Sequence, residues 1–207
     1  MAAGVPPNPE PELWLAALIG KKEAVRQLLT EGADTEEKGE CAEPAAGGFV
    51  RMAALHAAAT GGHEVIVLLL LEHGASVSSI DNYGDTPLHY AATEAVAGLL
   101  LDYNADATAR NFRGDTPLHH AACAGLEAAV LLLIQHGADV TATNDNGNTP
   151  ERWATQGSQV AALLKAEAVR KATKCVAFAS GQHPRLGERS QVLALDEGVV
   201  RMILDRV

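Results

Sequence analysis

The sequence has few aromatic residues: 2 Trp, 3 Tyr and 3 Phe make up 4% of 207 positions, whereas 47% are apolar. A core built without bulky rings needs alanine and leucine on closely packed helices, which argues against a β-sandwich and for an all-α chain. Cysteine is equally scarce. Cys41, Cys123 and Cys175 are odd in number, far apart and in no CxxC pair, which excludes a disulfide framework or a cysteine-based zinc cage and points to a reducing compartment, cytoplasmic or nuclear. No apolar run approaches a membrane span. The longest aliphatic stretch, residues 65–71, is about a third of the length required, so no membrane association is expected. Residues 1–12 carry Pro6, Pro7, Pro9 and Pro11 but no basic residue or apolar run, and do not read as a signal peptide. Also missing are the P-loop, GxSxG, HExxH and dinucleotide glycine fingerprints, so neither an enzyme nor a cofactor is expected.

Basic residues are unevenly spread. The net charge is −10, with 8 Lys and Arg against 21 Asp and Glu in residues 1–164, but 8 against 5 in residues 165–207. Nucleic-acid binding needs clustered Lys and Arg to displace counterions, so an acidic front portion disfavours it. A basic protein partner fits better.

What is present is a repeat. Asp85-Thr86-Pro87-Leu88-His89-Tyr90-Ala91-Ala92 returns 30 residues later as Asp115-Thr116-Pro117-Leu118-His119-His120-Ala121-Ala122. Leu55-His56 with its flanking alanines lies 33 residues before the first copy, and Thr149-Pro150 lies 33 after the second. Each unit closes on a leucine run and Gly-Ala-Asp or a variant, at residues 32–34, 74–76, 104–106 and 137–139. A fixed period near 33 marks a solenoid. Locally, proline suits the first helical turn, where its missing N–H costs nothing. The preceding threonine caps free amides, paired alanines allow close helix approach, and glycine or Asn104 takes the left-handed position after a helix.

These residues resemble the ankyrin repeat, whose signature is TPLH with two alanines, a leucine-rich second helix and a Gly-Ala-Asp close. The resemblance spans about residues 9–164. It implies a solenoid of stacked helix-turn-helix units joined by hairpin loops, in repeats near 9–35, 48–79, 81–109, 111–142 and 144–164. Residues 1–8 form a flexible N-terminus and 165–207 a helical extension. In the family the signature histidines, here His56, His89 and His119, hydrogen-bond backbone and threonine between repeats. That role outweighs a metal site built on His119 and Cys123, and no metal is expected.

Two irregularities stand out. About nine residues are inserted into a hairpin loop near 36–50. The third repeat is three residues short near Thr93 and Glu94, because Thr86 to Asn104 spans 18 positions where Thr116 to Gly137 spans 21. Three residues is about one helical turn.

The resemblance also implies where a protein partner of unknown identity would bind: the hairpin tips and the exposed side of each first helix. The tips are Phe49 and Val50, Asn82 and Tyr83, Phe112 and Arg113, Asp145 and Asn146. The variable position after the signature histidine holds Leu15, Ala57, Tyr90, His120 and Trp153, of which Tyr90 and His120 are the candidates and Trp153 reads as packing. Exposed aromatic and arginine side chains are frequent hot spots. The protein is expected to act as a monomeric interaction module or scaffold.

After residue 164, Lys165 to Lys174 reads as a basic helix. A break follows at 181–187, then an apolar-faced helix with Val199, Met202 and Ile203. Cys175 and 183–186 look loosely like a SOCS-box or F-box-like segment recruiting a ubiquitin ligase, which is the alternative function. Lys171 stands where a SOCS box has leucine.

Overall fold

The computed structural model describes residues 13–43 and 48–179, of which residues 41–43, 48 and 175–179 are described in backbone only. Residues 1–12, 44–47 and 180–207 lie outside the described residues, and with them the flexible N-terminus, the 181–187 break, the final apolar helix and most of the ligase-like segment.

Short helices alternate in two layers. The inner layer comprises α1 (Leu13–Leu18), α3 (Ala54–Thr60), a 3-10 turn (Pro87–Tyr90), α6 (Pro117–Cys123) and α8 (Pro150–Trp153), each packed on the next. The outer layer comprises α2 (Lys22–Thr30), α4 (Glu64–Glu72), α5 (Glu94–Asp102), α7 (Glu127–Gln135) and α9 (Gln159–Ala179). Between the layers Leu55, Leu70, Leu100, Leu118, Leu133 and Leu164 are fully buried. Each such side chain contributes roughly 1.5–3 kcal/mol of transfer free energy. Buried alanines, Ala16, Ala17, Ala57, Ala58 and Ala122 among them, let the inner helices approach closely.

The helix boundaries follow from local chemistry. Thr86 and Thr116 are extended and precede a proline at the first helical position. Thr86 donates its N–H to His89 Nδ1 at 3.1 Å, and its hydroxyl lies 2.9 Å from the same nitrogen. Nδ1 is therefore the acceptor, and His89 Nε2 donates to the Asp115 carbonyl at 3.1 Å. His119 repeats this with Thr116 and the Asn148 carbonyl. After α5, Asn104 sits at φ +65°, a left-handed value that asparagine tolerates.

The insertion near 36–50 contains a β-hairpin, where the sequence suggested a loop. Strands β1 (Lys38–Glu43) and β2 (Gly48–Ala53) pair antiparallel, from Lys38 opposite Ala53 to Glu43 opposite Gly48. In β2 the side chains alternate: Phe49 and Arg51 face solvent, while Val50 and Met52 are buried. Trp14, which replaces the signature histidine in the first repeat, lies over Gly39 of β1. A Cβ at Gly39 would fall 1.8 Å from the indole, so the ring requires glycine there.

The three-residue deficit removes nearly half of a helix. Where α6 runs seven residues, its counterpart in the third repeat is the four-residue 3-10 turn. Thr93 then begins α5 directly, accepting the Val96 amide at 3.2 Å.

Candidate functional site

Each hairpin loop that leads into a Thr-Pro is closed by a buried Asp or Asn four positions before the residue that precedes that pair. The Oδ1 of Asn111 accepts the amides of Arg113 and Asp115, each at 2.9 Å, and its Nδ2 donates to Asp85 Oδ1 of the preceding loop at 2.8 Å. Asn144 accepts from Asn146 and Asn148 and donates to Asp115 Oδ1 at 2.7 Å. At the start of the series Asp81 accepts from the amides of Tyr83 and Asp85 and from the Tyr90 hydroxyl at 2.7 Å. A buried polar line thus runs through successive loops and fixes how each tip projects. Sequence reasoning passed over it, although the Asp/Asn-x-x-Gly-Asp/Asn-Thr-Pro spacing carries the signal.

The tips meet edge to edge. Asn82 donates from Nδ2 to the Phe49 carbonyl at 2.9 Å and accepts the Arg51 amide at 2.8 Å, tying β2 to the next loop. The Phe112 amide donates to the Tyr83 carbonyl, and the Asp145 amide to the Arg113 carbonyl, both at 3.0 Å. Phe49 is 62% and Phe112 68% exposed. The Phe112 ring lies beside Gly84 at φ +80°, where a Cβ would come within 2.7 Å of it. The Arg113 guanidinium lies 6.0 Å from the centroid of the half-buried Tyr83 ring, in reach of a cation–π contact. Asp145 and Asn146 are exposed. Val50 is corrected: at 7% exposure it packs into the core from the inner face of β2, because successive residues of a strand point to opposite faces.

On the inner helices Tyr90 and His120 are half-buried. The His120 ring stands edge-on to His89 with centroids 5.3 Å apart, and its Nε2 lies 3.6 Å from Asp85 Oδ1, too far for a hydrogen bond. Trp153 stacks beside His119 and His120, in a packing position. Leu15 is exposed and Ala57 fully buried. Burial, reinforced by the neighbouring His120, pushes His89 down to about 3. Burial also lowers His56 and His119, against hydrogen bonds to the Asp85 and Asn148 carbonyls that act the other way. Asp85 is raised by burial, with His120 and the Asn111 amide opposing. This histidine column is a neutral structural core.

Among the described residues no group of three or more His, Cys, Asp or Glu could hold a metal ion. The ring nitrogens of His119 already engage Thr116 and the Asn148 carbonyl, while Cys123 is exposed. No described helix is long and apolar enough to cross a membrane. The family model for ankyrin repeats (3 copies) matches residues 13–111 and again 93–174. A search of curated proteins found no match.

Proposed function

The chain belongs to the ankyrin-repeat family, and on that premise we propose that it holds a protein partner against its row of hairpin tips and the adjoining inner helices, as a monomer. Ankyrin repeats are generally protein–protein interaction modules, typically without enzymatic activity. The observation that carries the proposal is the row itself. Phe49 stands exposed on strand β2, and Phe112 and Arg113 on a loop, and these segments are joined in a row through backbone amides and Asn82, so the three side chains are presented in a fixed array. Large apolar side chains held in water at fixed spacing favour burial by a partner. The acid excess of residues 1–164 favours a partner with a basic surface.

The ligase-adaptor alternative draws no support from the described residues. Lys171, where that motif has leucine, donates to Asp139 at 2.6 Å and holds α9 against the fourth repeat, which supports a capping role for this helix.

The test is affinity capture with wild-type and Phe112→Ala/Arg113→Ala baits, alongside thermal unfolding of both. Partner recovery is expected to fall about tenfold or more, with Tm unchanged within a few degrees. A large fall in Tm would instead place these residues in the core.

A further inference from the structure

The missing helical turn of the third repeat leaves a space. Where the 3-10 turn ends at Tyr90, the inner layer lacks the residues that α6 supplies one repeat later. The layer behind it continues without interruption through α5 and α7. The result is a cleft of about 240 Å³ between the 3-10 turn and α6. Its walls are apolar, from Ala91 and Ala92 after the turn, Ala97 of α5, Ala121 of α6, and Leu126 and Leu133 before and within α7. Thr60, Tyr90 and His120 also line the cleft. The Thr60 hydroxyl is committed to the His56 carbonyl at 2.9 Å, and His120 Nε2 has no hydrogen-bond partner.

Size and charge limit what fits. Pockets for small-molecule ligands and cofactors run from about 300 to 1,000 Å³, and this one is smaller. A closed apolar cavity of about 150 Å³ admits a benzene ring, so one leucine or phenylalanine side chain has room. Water would find few hydrogen-bond partners among these alanines and leucines. Residues 48–142 hold ten Asp and Glu against three Arg and no Lys, and the buried Asp85 carboxylate lies 3.6 Å behind His120. An acidic occupant would be repelled and a basic one drawn in.

We propose that this cleft anchors a single leucine- or phenylalanine-sized side chain of a partner segment that carries lysine or arginine beside it. The inference rests on the partner-binding reading above and adds where, and by what chemistry, the partner is gripped. It makes the shortened repeat the specificity element of this chain.

The test uses the full chain with labelled alanine and leucine methyl groups, titrated in NMR with three blocked heptapeptides. The first has a central leucine between glycines, with two lysines at each end. The second has alanine at the centre, and the third keeps leucine but has glutamates for lysines. The methyls of Ala91, Ala97 and Leu133 are expected to shift with the first peptide, at a Kd about tenfold or more below that of the alanine peptide, given roughly 0.8 kcal/mol per buried methylene, and also below that of the glutamate peptide, which the acidic surface repels. Replacing Thr93 with Ala-Ala-Gly-Leu, which gives the third repeat the length of the fourth, should abolish these shifts. Ala121→Leu, which fills the cleft without altering chain length, should do so independently. The proposal fails if the lysine–leucine peptide moves none of these methyls at millimolar concentration, if the three peptides act alike, or if the shifts survive in both variants. It fails equally if, without peptide, the methyls move on dilution or on removal of residues 180–207, since a second copy or the chain's own end would then fill the cleft. Intact partner capture by both cleft-filled variants, with loss only in Phe112→Ala/Arg113→Ala, would overturn the cleft while leaving the wider reading in place.

Discussion

His56 shows what one substitution in a repeated motif costs. His89 and His119 satisfy Nδ1 through the threonine three residues before them. In the second repeat that position is Ala53, and the fully buried His56 Nδ1 has no partner. A buried nitrogen without a hydrogen bond costs about 1–3 kcal/mol. Ala53→Thr is therefore expected to stabilise the protein by about 1 kcal/mol, read as a Tm increase of a few degrees in calorimetry. A lower Tm would mean that the end of β2 cannot accommodate the side chain. Nothing local to residues 53–56 reveals the deficiency, because the motif is degenerate in a way that only comparison between repeats exposes.

At the scale of elements, α9 is held by a long-range charge contact. Lys171 donates to Asp139 at 2.6 Å. Although partial burial acts to raise the Asp139 pKa, the Lys171 ammonium and the Thr141 hydroxyl and amide hold it down to about 2. Both partners are about half exposed, so the ion pair adds little to global stability. Its effect is on where the helix lies. Lys171→Glu is expected to leave Tm within a few degrees of wild type while accelerating amide exchange along α9 severalfold, measured by hydrogen–deuterium exchange. Unchanged protection would show that apolar packing through Leu164 and Ala168 suffices. The sequence made the basic helix legible, but not its docking. Similarly, the third repeat reads as three residues short, whereas the collapse of its first helix to a 3-10 turn depends on how its neighbours hold the backbone.

Across the whole molecule, His56, His89 and His119 form a column through the inner layer, each held neutral by burial. In the unfolded chain a histidine takes up a proton near pH 6.5, but in the fold His89 does so only near 3. Below pH 6.5 the unfolded state therefore binds more protons, and stability falls as pH falls. The limiting slope is about 1.4 kcal/mol per pH unit for each histidine. The groups around His89 are Asp85, Asp115, His120 and His56. Asp85 acts in the opposite sense, because its raised pKa makes protonation favour the fold. Tm is expected to be level from pH 7.5 to about 6.5 and to drop towards pH 4.5. His89→Gln should be less stable at pH 7.5 but show a shallower decline. A Tm independent of pH between 6.5 and 4.5 would mean that these histidines are protonated in the fold.

The sequence by itself determined the period, the stack of helix-turn-helix units and the turns at 82–83, 112–113 and 145–146. Those features rest on local physics: proline in a first turn, a capping threonine, a left-handed Asn104, alanines where helices must touch. Phe112 and Arg113 were legible as surface candidates because turns at fixed spacing place them outside any helix, whereas Phe49 is exposed by the outward register of β2. Tertiary structure decided the rest. The strands at 38–43 and 48–53 exist because each supplies the other's hydrogen bonds, and the alternation of the second buries Val50. The line from Asp81 through Asp85, Asn111 and Asp115 to Asn144 joins residues about 30 apart in sequence, as does the contact between Lys171 and Asp139. The cleft beside the 3-10 turn belongs to no segment of the chain. It is the volume left when one repeat lacks a turn that its neighbours keep, and only packing turns that deficit into a site.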